Sequence, residues 1–339
     1  MFCTGTVASN MREAAGLLAA DAPRVPTLFA SGPGVLSERG EIDGESAATG
    51  IIWSGGSCHI NDTAPQRDLS TQDLEHVLQM RDGFCPRLLF MRAEGFGPDQ
   101  LWGLRQRGQY PLLFGAGTYG DPGLVCLDER GVRTAKVACL GLKGISPPNV
   151  RTAHSCRLLS DPLPVTRANG AVVEEIGGER ALDLLDRLGS SLQGRPLVFT
   201  VIAEPTPEEP GGYSLLVRGI QGIDPTRRSL IISQDVQPGT LLTFAVRDSS
   251  AARRDFDQVC RCLKRDVAGA APRFGIYFNC SGRGRNLHGA RGIDSRVLRQ
   301  RFEDLPIAGF QSAFEIAPFA GQPALQLYTG VLALFSSPS

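Results

Sequence analysis

The chain has 339 residues, 42% of them hydrophobic and 21% charged, the composition of an ordinary globular protein with room for two modest domains. Lysine plus arginine and aspartate plus glutamate number 35 each, giving zero formal net charge, and no basic run interleaved with aromatics marks a nucleic-acid face. No apolar stretch approaches the roughly 18 to 20 residues that span a bilayer, the opening MFCTGTVASNMREAAGLLAADAP reads without the basic segment of a secretory leader, and nine cysteines without framework spacing suit reduced thiols, so a cytoplasmic location without a membrane or nucleic-acid partner is the expectation.

In chain order, a helix is predicted from Met11 to Ala20, then the apolar PTLFASGPGVL (26–36), GEIDG (40–44) and a strand ATGIIW (48–53). The same order returns as LLFMRAEGFG (88–97), a short helix around Leu101 to Arg105, YPLLFGAGTYG (110–120), LVCL and the strand KVACLGL (136–142). A different texture follows. GGERALDLLDRLG (177–189) spaces Ala181, Leu184, Leu185 and Leu188 as a helix and stops at Gly189. Strands at 196–204, 214–220, 229–236 and 241–248, with a Pro238-Gly239 turn, predict an antiparallel meander. A helix over 249–267, capped by Ser249 or Ser250, aligns Phe256, Val259, Cys260, Leu263 and Val267 in one stripe.

The first order then comes back as FGIYFNCSGRG (274–284), a helix over 295–302 that Asp294 is placed to cap, LPIAGFQSAFEI (305–316) and ALQLYTGVLALF (324–335). Three copies of a strand-helix-strand-strand unit set Gly32, Gly115 and Gly309 at equivalent turns. Such units pair into mixed sheets covered by helices, an α/β (mixed α+β) class. The break between two domains, 1–190 and 191–339, falls in the glycine- and serine-bearing stretch after the helix at 177–189.

The chemistry concentrates in FNCSGRGRN (278–286). Cys280 stands at a strand end, followed by Ser281, Gly282, Arg283, Gly284 and Arg285. Such glycines turn backbone N–H groups toward a ligand, and guanidiniums add forked donors that match a carboxylate or phosphate. The same positive surroundings lower a thiol pKa, so a binding loop and a cysteine nucleophile are both open, beside the reading in which Cys280 packs as a small hydrophobe. A nucleophile needs a base, and of four histidines only His288 is near in sequence. Gly309 and Phe310 form the last turn, Glu315 follows it, and Glu41 is its counterpart in the first copy. Either both acids line a cleft, where one receives an amino group while the arginines hold a carboxylate, or each caps a turn. Arg247 and Asp248 end a strand before a helix, as an ion pair, a cap or a pocket wall.

Two motifs lead nowhere. Gly115-Ala-Gly117-Thr-Tyr-Gly120 is followed by Asp121-Pro122-Gly123 and a strand instead of the helix that holds a pyrophosphate, so no dinucleotide is expected. Cys260 and Cys262 lack a second pair at ligand spacing. No metal or other cofactor is expected.

The stretches FGIYFNCSGRGRNLHG, LPIAGFQSAFEIAP and LYTGVLALF, with HSCRLLSDPLPVTRANGAVVEEIGGERALDLL (154–185) and VRDSSAARRDF (246–256), resemble the FIST domain family in identity and order. The resemblance covers most of the chain from about residue 25, with a shortened amino-terminal end and Phe314 where the family places a glycine. It implies a sensory module for small ligands such as amino acids in bacterial signalling, with eukaryotic relatives joined to an F-box. The resulting expectation is a cytoplasmic small-ligand sensor with a small anionic ligand and a signalling partner protein. The rivals are a cysteine-dependent enzyme of acyl or thiol chemistry at Cys280 and a protein-interaction scaffold.

Overall fold

The run PRFGIYFNC shows how the chain builds its sheets. On a strand's two-residue period, Phe274, Ile276 and Phe278 share one face and Tyr277 takes the other. Both faces are apolar, so the strand must be covered twice. The first set lies in a central core, and Tyr277 packs among helix residues.

The computed structural model describes all residues except 23–24, 66–68, 82, 95–109, 111, 191, 193–196, 207–211, 268–270 and 337–339. The helix expected around Leu101 to Arg105 lies outside the described residues. The described elements run β1 (Phe2–Thr4), α1 (Gly5–Ser9), α2 (Met11–Asp21), β2 (Thr27–Ser31), β3 (Gly34–Ser37), β4 (Gly40–Asp43), β5 (Ala47–Thr49), β6 (Ser57–Asp62), α3 (Thr71–Leu78), β7 (Cys85–Arg92), β8 (Phe114–Thr118), β9 (Leu124–Asp128), β10 (Gly131–Thr134), β11 (Val137–Lys143) and β12 (Asn149–His154). Then come β13 (Cys156–Leu158), β14 (Leu163–Asn169), β15 (Val172–Ile176), β16 (Glu179–Arg180), α4 (Ala181–Gly189), β17 (Val198–Pro205), β18 (Tyr213–Asp224), β19 (Ser229–Ile232) and β20 (Leu241–Arg247). The chain closes with α5 (Ser249–Asp266), β21 (Pro272–Cys280), α6 (Gly284–His288), α7 (Ile293–Phe302), β22 (Ile307–Ser312), β23 (Glu315–Phe319), β24 (Gln322–Gln326) and β25 (Thr329–Ser336). The class is mixed α and β. Contacts divide it into one unit of Met1–Ala153 with Arg253–Ser339 and a second of His154–Ala252. This division differs from the serial one at 190/191, because the second unit is inserted in the first.

The first unit holds three sheets, ordered β10-β9-β2-β1-β5, β24-β23-β8-β7-β11-β6 and β12-β25-β21-β22-β3-β4. Each contains one parallel pair: β1 with β2, β7 with β8, β21 with β22. Their registers correspond. Phe2 lies opposite Ala30, Phe90 opposite Ala116 and Phe278 opposite Phe310. The three phenylalanines meet, with ring centroids 5.4 to 6.3 Å apart, and tilted or edge-on contacts of this kind add to their area burial. All three sheets turn their inner faces to this core. Their outer faces carry helices: α2 with Met11 and Ala15 on the first, α3 with Leu74 and Val77 on the second, α5 and α7 with Phe256, Leu263 and Leu298 on the third. Phe256, Val259, Cys260, Leu263 and Val267 are all buried, the stripe that the helical period predicts.

Two expectations change here. Residues 48–53 pair only as far as Thr49, and the glycine-flanked 50–56 carry no regular structure. Gly115 and Gly309 are equivalent, opposite Leu89 and Tyr277, and a Cβ on either would overlap that residue's carbonyl oxygen. Gly32 is not their equivalent. The corresponding place in the first pair belongs to Phe29, whose ring packs with Met11 and Ala15 under α2. Sheet edges are also tied. Arg133 on β10 bonds Asp62 on β6 at 2.7 Å and Asp128 on β9 at 2.7 Å, and Arg130 reaches the same two acids.

In the second unit β14, β15, β19, β18, β17 and β20 pair in a closed antiparallel ring, with β13 added on β20 and β16 on β15. The meander holds for β17, β18 and β19 only, because β20 turns back to pair with β17 and β14. The cap of α5 is Asp248, whose Oδ1 accepts from the Ala251 N–H at 2.7 Å, in place of Ser249 or Ser250. Asp248 also pairs with Arg157 at 3.5 Å, so Asp248 serves as an ion-pair partner and a cap in its local structure.

The glycine contact is testable by urea unfolding. Gly309→Ala should lose about 1–3 kcal/mol, the cost of overpacking against a fixed backbone. Gly16→Ala, on α2 with nothing near its Cβ position, should gain up to about 1 kcal/mol from helix propensity. Equal midpoints for the two variants would contradict the packing at Gly309.

Candidate functional site

Open α/β sheets place ligands at the carboxyl ends of their parallel strands, and the three such ends in the first unit are joined by hydrogen bonds. Ser31, ending β2, accepts at its carbonyl from the Tyr119 N–H at 3.0 Å, and its hydroxyl donates to the Tyr119 carbonyl. The Tyr119 hydroxyl lies 2.8 Å from that of Ser281, the residue after β21. Ser281 N–H donates to the carbonyl of Ser312, the last residue of β22, at 2.9 Å. The Ser312 hydroxyl then donates to Glu315 Oε1, and the Thr329 hydroxyl to Glu315 Oε2, both at 2.6 Å. The network runs from Tyr119, 38% exposed, to a fully buried carboxyl.

Burial pushes the Glu315 carboxyl up to about 8, against the lowering effect of its hydroxyl donors and of Arg283, so it is mostly uncharged at neutral pH. Burial, then the neighbouring Glu315, push the Cys280 thiol up to about 12. The Gly282 and Tyr328 N–H groups and Arg283 do lower it, as positive surroundings should, but burial outweighs them. Its sulfur accepts from the N–H groups of Gly282 and Tyr328. Tyr328 is held at φ 57°, a left-handed conformation that costs a non-glycine residue about 1–2 kcal/mol, and its ring lies against Gly282.

The opposite face of β21 carries charge. Arg283 is fully buried and donates through Nε to Asp294 Oδ2 at 3.2 Å and through Nη2 to Oδ1 at 3.3 Å. Tyr277 donates its hydroxyl to Asp294 Oδ2 at 2.9 Å, and His288 Nε2 stands 3.7 Å from Oδ1. The guanidinium also sits 5.7 Å from the Phe256 ring centroid. Burial opposes both charges, yet Arg283 holds Asp294 well below the usual carboxylate range, and Asp294 holds Arg283 above the usual arginine value. The carboxylate that Arg283 grips is thus the chain's own. Asp294 does not cap α7. That place belongs to Glu41, whose carboxylate accepts from the N–H groups of Gly292 at 2.9 Å and Ser295 at 3.4 Å.

Of the residues picked from sequence, Cys280, Ser281, Gly282 and Glu315 come together on the inner face. Arg283 and Glu41 serve α7 from the helix-covered face. Gly284 opens α6 with its Cα facing Gln311, Arg285 is exposed on α6, Gly309 and Phe310 are buried in β22, and Arg247 and Asp248 belong to the second unit. Phe314 is accommodated by Gly117, where a Cβ would meet its ring. Sequence reasoning missed Tyr119, Ser312, Thr329 and Tyr328. Ser312 and Thr329 share the face of Cys280 by strand register, a signal available once the pairing is known. It also missed Asn279, which is fully buried with neither amide atom hydrogen-bonded among the described residues.

Three measurements check these assignments. The folded state holds a proton on Glu315 that the unfolded chain releases above its ordinary value of 4.5, so the stabilisation is full below that value and is lost as pH rises to about 8. Glu315→Gln should therefore gain urea resistance relative to wild type between about pH 5 and about pH 8, and a constant difference would refute the raised pKa. Arg283→Ala should cost about 3–5 kcal/mol by leaving Asp294 buried and unpaired, while an unchanged midpoint would remove that pair from the core. Iodoacetamide should label exposed Cys85 well before buried Cys280, read by mass spectrometry of the native protein.

The FIST N domain model matches residues 1–179 and the FIST C domain model residues 179–318. Among curated proteins, uncharacterized protein Rv0628c of Mycobacterium tuberculosis is 32% identical over 219 residues, covering 61% of this chain and 57% of that one. Uncharacterized protein Mb0898c of Mycobacterium bovis is 32% identical over 223 residues, 61% of this chain and 56% of its own. The matched stretch spans just over half the length of these relatives. FIST domains are associated with small-ligand sensing. With both domain models matched in succession over 1–318, the chain belongs to the FIST family.

Proposed function

We propose that this protein is a cytoplasmic small-ligand sensor whose ligand is a small anionic metabolite such as an amino acid, held where the ends of β2, β8, β21 and β22 meet. The carrying observation is the hydrogen-bonded path from half-exposed Tyr119 through Ser281 and Ser312 to the uncharged Glu315. It supplies neutral donors and acceptors around the strand ends, and exposed Arg285 is the guanidinium left for a carboxylate, since Arg283 is held by Asp294. The three parallel pairs act as one unit repeated three times, each contributing polar groups at its carboxyl end. The ligand's presence is passed to a signalling partner protein through the strained Tyr328 turn, which touches both Cys280 and Gly282.

Catalysis at Cys280 draws no support from its surroundings. Its thiol is raised, and His288 is turned to Asp294 on the other face. Mass spectrometry of gently purified protein and calorimetry against an amino-acid panel test the binding reading. Arg285→Ala should weaken the bound amino acid by about 1.5–3 kcal/mol and Tyr119→Phe by about 0.5–1.5 kcal/mol, with folding unchanged. No retained metabolite and no panel member bound, or full affinity in Arg285→Ala, would overturn the site.

A further inference from the structure

The inner faces of the first unit are not filled evenly. Phe278, Phe310 and Val331 are 0% exposed, whereas Phe274 and Leu28, on the same inner faces nearer the opposite strand ends, each keep 8%. That residual surface lines a cavity of about 530 Å³, walled by Leu28, Leu88, Leu142, Phe274, Ile276 and Phe335, with no charged side chain among its described lining residues. A volume of this size falls in the ~300–1,000 Å³ range of small-ligand sites. A second space of about 550 Å³ adjoins it, sharing Ile51, Ile52, Trp53, Gly56 and Phe274, and is lined by Arg273 with Ser54 and Ser336. Trp53 stacks on Phe274 at 5.7 Å and Phe274 on Phe335 at 4.6 Å, and Trp53 and Phe274 line both spaces, so this aromatic stack marks the border where the apolar space adjoins the one holding a guanidinium. Arg273 is exposed and makes no ion pair with any described residue.

We infer that this pair of spaces is a binding site for an amphiphilic monocarboxylate, its hydrocarbon chain in the apolar cavity and its carboxylate at Arg273. A mostly apolar wall with no charged side chain, and with Thr27 and Ser57 as its few polar members, disfavours a zwitterionic amino acid, because buried charges left unpaired are costly, and it favours methylenes, whose transfer from water is the driving term. A guanidinium at the rim with no ion pair among the described residues suits one carboxylate. Trp53, on the loop with Gly55 at φ 87° and Gly56 at φ 90°, sits where chain meets head. The site uses none of the residues at the carboxyl strand ends, so it stands or falls independently of the proposed amino-acid site.

The test uses decanoate and decanol, with decanoate below its micelle concentration and Trp53 fluorescence as readout in full-length protein carrying Trp102→Phe. Decanoate should give a saturable change, Arg273→Gln should weaken decanoate roughly fivefold, as for an exposed ion pair, and should leave decanol unchanged. The double variant Leu88→Phe/Leu142→Phe should abolish binding of both by filling the cavity without adding a tryptophan, and Ile51→Phe at the rim serves the same end if the first variant does not fold. Decanoate added as free acid, or presented in phosphatidylcholine vesicles, separates a soluble ligand from a membrane source. The inference is overturned if decanoate gives no saturable change, if Arg273→Gln leaves the decanoate-to-decanol ratio unaltered, or if a folded cavity-filled variant still binds.

Discussion

The meeting of Phe2, Phe90 and Phe278 sets the geometry of the first unit. Each ring comes from the same register position of a parallel pair, so their contact aligns three sheets along their strands as well as across the core. From Phe278 the chain needs only two residues, about 7 Å of strand, to reach Cys280, and four residues back, about 13 Å, to reach Phe274. One packed triad therefore positions both the hydroxyl-rich strand ends and the apolar cavity. A strand slipped by one residue would send every inner-face phenylalanine to the helices.

The two faces of β21 treat acids in opposite ways. On the helix-covered face Asp294 remains ionised because Arg283, Tyr277 and His288 surround it. On the inner face Glu315 is held by two hydroxyls and the Thr329 N–H, and burial outweighs them to keep it mostly protonated at neutral pH. A buried ion pair gains little net stability but is costly to break, which suits a turn that must keep one shape. The glycine-arginine loop is buried at Arg283, half-buried at Ser281 and exposed at Arg285.

Much of this was legible where a pattern is local. The stripe from Phe256 to Val267 marked the buried face of α5, the Leu184 spacing marked α4, and the order of apolar runs marked both strands of the second and third parallel pairs and β2 of the first, but not the short β1. Properties set by distant partners were hidden. Arg283 read as a ligand grip because nothing local reveals that Asp294, eleven positions on, is buried beside it. The thiol of Cys280 was open to three readings, an activated one among them, because sequence shows the arginines and not the burial. The ring of the second unit was missed because β20 pairs with β17 and β14 instead of the strand just before it.

The closed ring and the open sheets leave different liabilities for self-association. A ring of paired strands offers almost no unpaired backbone to a neighbouring molecule, whereas each open sheet ends in two strands that do. In the first unit, β6 and β10 are such end strands, and Arg130 and Arg133 gather there with Asp62 and Asp128. Ions fixed at an open border disfavour the dry stacking on which fibrils depend. The same charges that tie two sheets together inside one molecule thus guard against their continuation into the next.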